Sequence, residues 1–182
     1  MNSPVSLADV LADAGKPLPP PWHGPIDASR EEFCTAVGLL ISTEPQLALA
    51  LCREGFAQAE ARGNVDAEVG ALLQMHRVLQ NTAMNFAMKK EVWAMLTKRA
   101  NAVVDPIVAV RLAMARLVRL VDSGEHAQAL AEGHGTLAKV MAMGNDQLVA
   151  SVHNALALAL CGVGEPGLAL DLLQQMAPLP SC

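Results

Sequence analysis

At 182 residues the chain is long enough for one domain with a sizeable core, or for a short helical array that grows sideways. Just over half of it (52%) is apolar, yet Tyr is absent and only three Phe and two Trp occur. The apolar surface is therefore Ala, Leu, Val and Met, which suit helix packing better than strands. A formal charge of −5 argues against a phosphate-neutralising surface, so nucleic acid is not an expected partner.

The predicted elements begin with a short helix through Val10 and Leu11, capped by Ser6 and ended by Gly15. Met1 to Ala14 has neither the basic start nor the apolar centre of a signal peptide. Lys16–Pro25, "KPLPPPWHGP", carries five prolines in ten residues and reads as an extended linker, with Trp22 pinning it to the body. Residues 1–28 thus form a leading segment and residues 29–178 a helical body. Eight helices are predicted in that body, at about 30–42, 45–62, 66–82, 88–102, 105–122, 125–143, 146–163 and 165–176.

Repetition organises these helices. Glu44–Leu49 reads "EPQLAL", and Glu165–Leu170, 121 residues on, reads "EPGLAL". Gly124–Leu130, "GEHAQAL", precedes Gly164–Leu170, "GEPGLAL", by 40 residues. "EARGNVD" at Glu60–Asp66 returns as "MAMGNDQ" at Met141–Gln147, 81 residues later. Midway, Asp105 and Pro106 mark another helix start. All these markers fit a period of about 40 residues, in the range of stacked supersecondary units. Each unit is a pair: Gly-Asn or Asp opens a long helix, and a tight Gly-Glu turn leads to a second helix opened by Glu or Pro. The expected fold is all-α, a right-handed stack of about four antiparallel helix pairs.

On these paired helices and the "GEPGLAL" and "GEHAQAL" turns, the chain over Ser29–Met176 resembles the tetratricopeptide-repeat superfamily. Its period is nearer 40 than the family's usual value of about 34, and the Trp, Leu-Gly and Tyr set of that family is missing. The "ARGN" and "AMGN" markers are similar to the longer, degenerate repeats of helical sensor domains, which precede bacterial diguanylate cyclase modules and occur in maltose-activator-type regulators. The resemblance implies a scaffold or sensor in bacterial signalling; a cytoplasmic location is expected by default, since neither a targeting segment nor a bilayer span is visible in the sequence. Such a module recognises a protein, a peptide or a small ligand on a concave helical surface and performs no catalysis.

Gln74, Arg77 and Asn81, with Asn85 beyond them, share one predicted helix face. Arg111, Arg116 and Arg119 fall within about 140° of one another on the helix after Asp105. His153 and Asn154 interrupt the apolar run Leu148–Val163, which is short for a bilayer span and reads as a helix buried on most sides. These are the first helices of successive pairs, which line the concave side in the superfamily that the chain resembles. Arg and Asn there suit a carboxylate or an extended peptide backbone, the plainer reading being a solvated face.

"EGHGT", Glu132–Thr136, places two glycines in a predicted helix. Close helix–helix approach or a local break accounts for them simply; the sharper reading makes His126 and His134 ligands or bases of a metalloenzyme. No HExxH pattern or telling nucleophile accompanies them. "MKKEVWAMLTKR", Met88–Arg99, reads as a solvated basic face with Trp93 packed between repeats. Cys34, Cys52, Cys161 and Cys182 form no CxxC or Cys/His cluster, and the first three read as reduced core thiols. No cofactor is expected. At the C-terminal end, Leu168, Leu170, Leu172, Leu173 and Met176 leave the last helix without a polar outer face. A second copy of the chain, or a following effector domain, is expected to cover it.

Overall fold

A computed structural model describes residues 26–82 and 86–174. The short helix through Val10 and Leu11, the Pro-rich stretch with Trp22, and Asn85, Met176 and Cys182 lie outside the described residues. Among those described there are eight α-helices and no strand: α1 (Glu31–Ile41), α2 (Pro45–Arg62), α3 (Val65–Asn81), α4 (Phe86–Arg99), α5 (Pro106–Asp122), α6 (His126–Met143), α7 (Asp146–Gly162) and α8 (Pro166–Gln174). Each falls within a few residues of its predicted place. A 3₁₀ turn, Ala100–Ala102, extends α4.

The repeated phrases turn out to be repeated chain reversals. Gly63 and Gly144 close α2 and α6 in the left-handed region, at φ 64° and 65°, where a Cβ would be strained. The next residue in each case is an N-cap. Asn64 Oδ1 accepts from the Ala67 amide at 3.1 Å, and Asn145 Oδ1 accepts from Leu148 at 3.0 Å. Asp105 does the same for α5, accepting from Ile107 and Val108 ahead of a proline that lacks the amide it would not have used. "EPQLAL" and "EPGLAL" both place proline at the first position of a helix, α2 and α8.

The helices fall into two compact units, one ending at Ala109 and the other beginning at Val110. In the first, α3 packs on α1, α2 and α4 and buries twelve of its seventeen residues. Phe33, Leu40, Leu51, Leu72, Leu79 and Leu96 are fully buried there. Each such side chain contributes about 1.5–3 kcal/mol relative to exposure. Residues 26–30 lie against this core. The Ile26 amide donates to Gln58 and Arg62 donates to the Ile26 carbonyl, while Gly70 sits so close to the Ala28 carbonyl that a Cβ would lie 2.2 Å from its oxygen.

The basic stretch Met88–Arg99 departs from expectation at its end. Lys90 and Lys98 are exposed, but Arg99 turns inward. It forms an ion pair with buried Glu68 of α3, lies 3.7 Å from Glu60 of α2 and sits 5.2 Å over the Phe56 ring. A buried carboxylate without such a partner would be costly, so Arg99 ties three helices together. Trp93 does pack on a neighbouring helix, with its ring 5.3 Å from that of His76.

The second unit is built on Leu117, Leu120, Ala129, Val140, Val152 and Leu156, contributed by α5, α6 and α7. The helix α6 runs unbroken through both of its glycines. Gly133 is a point of close approach, since a Cβ there would lie 2.4 Å from Leu156 Cδ2, whereas Gly135 faces open space. Cys34 and Cys52 are buried as expected, but Cys161 is exposed: it falls on the side of α7 shared with Ser151, Asn154 and Leu158, away from the core. Burial, reinforced by neighbouring Cys34, pushes the Cys52 thiol far above its ordinary range. Among the described residues, no helix is long and apolar enough to cross a membrane.

Candidate functional site

The polar face of α3 is the best-organised candidate. Asn64 starts the helix, and the 3.6-residue period then places Gln74, Arg77 and Asn81 in one row. The three are linked. Gln74 is buried; its Nε2 donates to Cys34 Sγ of α1 at 3.3 Å, which turns its Oε1 toward Arg77 Nη1 at 3.5 Å. Asn81 Nδ2 donates to the Arg77 carbonyl at 2.9 Å, closing the last turn of the helix.

Arg77 itself is exposed, and its guanidinium lies across Gly38 of α1, where a Cβ would sit 3.7 Å from both Nη1 and Nη2. A methyl at position 38 would make ordinary van der Waals contact with the guanidinium, whereas a longer side chain would reach into the space it occupies. The 3.5 Å contact with Gln74 is at the outer limit of a hydrogen bond. Among the described residues, no carboxylate pairs with Arg77. The result is an exposed cation that lies beside Gly38 and touches buried Gln74. A planar, five-donor guanidinium so placed suits a carboxylate.

No family model, curated protein or solved structure matches the chain.

The remaining candidates belong to the second unit. Arg116 is already engaged, its Nε and Nη2 reaching Glu132 of α6 at 2.7 and 2.8 Å, with Gln128 donating to the same carboxylate. Arg111 is half-buried and Arg119 exposed on α5. His153 is half-buried and turned back on its own helix, Nδ1 lying 3.0 Å from the Val149 carbonyl, while Asn154 beside it is exposed. The eight polar candidates are therefore divided between the two units. Three are joined on α3, three are spread along α5, and two lie on α7.

The histidines of α6 do not converge. They are eight residues apart on one straight helix, about 12 Å along the axis at 1.5 Å per residue. His134 is exposed, whereas the His126 ring lies flat on Gly162, where a Cβ would fall 2.4 Å from Cγ and Cδ2. Its Nδ1 is buried with no hydrogen-bond partner. Among the described residues, no group of three His, Cys, Asp or Glu is placed to hold a metal ion.

Of the last helix, Leu168, Leu170 and Leu173 are exposed and Leu172 packs on the core of the second unit. Sequence reasoning had no hold on Gly38 or on the Gln74–Cys34 contact. A glycine in mid-helix was the available signal for the first; the second is purely tertiary.

Proposed function

We propose that the chain is a helical-repeat recognition module that binds an acidic protein segment or peptide, with Arg77 as the anchoring cation. The observation that carries this reading is the exposed guanidinium of Arg77, which pairs with no carboxylate among the described residues, lies beside Gly38 and is backed by buried Gln74. An exposed arginine free to wander loses side-chain entropy on binding; one already laid on a shelf loses less. The paired helices are read as turns of a right-handed stack like that of the tetratricopeptide-repeat superfamily, serving as scaffold or sensor in a cytoplasmic signalling protein of bacteria.

The test is a titration of the full chain with a fluorescein-labelled Glu-rich peptide at low ionic strength, followed by anisotropy. Replacing Arg77 with Ala removes a charge-assisted contact and is expected to weaken binding about tenfold, with the melting temperature almost unchanged. Gly38→Leu, which fills the shelf while keeping the charge, is expected to weaken it too. Equal affinities for all three proteins would overturn the reading.

A further inference from the structure

The two compact units repeat one helix pair in the same register. Adding 81 to the bounds of α2 and α3 gives those of α6 and α7: Pro45–Arg62 becomes His126–Met143, and Val65–Asn81 becomes Asp146–Gly162. The left-handed glycines and the Asn caps correspond as well, Gly63 with Gly144 and Asn64 with Asn145. Burial agrees over residues 74–78 and 155–159. Gln74 and Ala155, Met75 and Leu156, His76 and Ala157, and Val78 and Ala159 are buried, while Arg77 and Leu158 are exposed.

The second unit thus builds this stretch with Ala155 and Leu158 where the first has Gln74 and Arg77. Helix and packing at these positions do not call for an amide or a guanidinium. An amide costs more to bury than a methyl group unless both of its ends are bonded. Its presence at 7% exposure in one unit, against an alanine at 6% in the other, needs a reason outside the fold.

That reason lies in which end of the amide meets which neighbour. A guanidinium only donates, so Gln74 Oε1 faces Arg77 Nη1, 3.5 Å away. The nitrogen Nε2 is left to donate to Cys34 Sγ of α1, a weak acceptor at 3.3 Å. Gln74 therefore offers Arg77 an acceptor that carries no charge. A carboxylate in its place, three residues before the arginine on the same helix, would form an ion pair and neutralise the guanidinium.

We infer that Gln74 is a positioning residue of the Arg77 site: it restrains the guanidinium through Nη1 without cancelling its charge, which is left for a carboxylate of the partner. This rests on the reading of Arg77 as the anchor. It adds that the amide at position 74 serves binding and is not required by the fold.

The test measures anisotropy of the labelled Glu-rich peptide with the full chain, at low and at physiological ionic strength. Gln74→Met keeps the volume and removes both polar atoms. Its melting temperature and its response to salt are expected to match the parent's, while its affinity falls about threefold. Gln74→Glu keeps the shape and adds a charge. Its affinity is expected to fall about tenfold, as far as that of Arg77→Ala, and to respond less to salt than the parent's, because Arg77 is already paired. A merely structural role would move affinity together with melting temperature and would not separate the two variants by their salt response. Parent affinity in both variants, with Arg77→Ala still weakened, would overturn the inference and leave the Arg77 reading standing. A Gln74→Met chain that melts well below the parent would overturn it too, by making the amide part of the fold. A parent chain that does not bind the peptide would overturn both.

Discussion

Asp27 organises the five residues ahead of α1. Its Oδ1 accepts from the Ser29 amide at 3.1 Å and from the Ser29 hydroxyl at 2.6 Å, and its Oδ2 pairs with Arg30 at 3.3 Å. The carbonyl of the same residue receives the Arg30 amide. Burial pushes its carboxyl up, but the Ser29 hydroxyl and amide and the Arg30 guanidinium together hold it below its ordinary value. A depressed carboxylate contributes stability that is present above its unfolded value, near 4, and is lost as pH falls through the folded one. Asp27→Asn is therefore expected to lower the melting temperature at neutral pH. The gap between parent and variant should narrow as pH drops below about 4. The effect is modest because the pair with Arg30 is largely open to solvent and screened. Thermal melts across that range check it; a gap that stays constant or widens in acid would show that the carboxylate charge is not what matters.

At the scale of the element, α6 sets helix propensity against packing. Both of its interior glycines cost about 1 kcal/mol relative to Ala in intrinsic preference. At Gly135 nothing lies within 4 Å of a Cβ, so Gly135→Ala is expected to stabilise by about 0.5–1 kcal/mol. At Gly133 the new methyl would meet Leu156, which is fully buried and has nowhere to turn, with Leu117 behind it. Gly133→Ala is expected to lose about 1–3 kcal/mol to overpacking, more than the propensity gained. Denaturant unfolding of the two variants gives opposite signs if this is right. Helix starts and stops were legible in the sequence because caps are local: Gly63–Asn64 and Gly144–Asn145 act within four residues of themselves. Arg99 was not. Its role depends on Glu68, 31 residues away, and on a helix crossing that no local pattern encodes. The same is true of Asp66, whose Oδ1 receives the amides of Val104 and Asp105 far along the chain.

At the scale of the whole molecule, the arrangement of polar and apolar faces decides what the chain has to offer. The helical period put Gln74, Arg77 and Asn81 on one face, and the fold links them through hydrogen bonds. The period alone does not reveal that Arg116 is taken up by Glu132, or that the arginines of α5 belong to a different unit from Arg77. Nor does it distinguish Cys161, which is exposed, from Cys34 and Cys52, which are buried, since all three sit in similarly apolar stretches. Two features stand out among the described residues: an arginine beside Gly38 that pairs with no carboxylate, and the exposed leucines of α8. The central claim is that the first of these is a recognition site for an acidic segment. Hydrogen exchange followed by mass spectrometry, on the full chain with and without saturating Glu-rich peptide, tests it most directly. The expected result is slowed exchange in the segments around Gly38 and Asn81, with His126–Met143 unchanged. Protection confined to the helix bearing His126 and His134, or no protection anywhere, would contradict it.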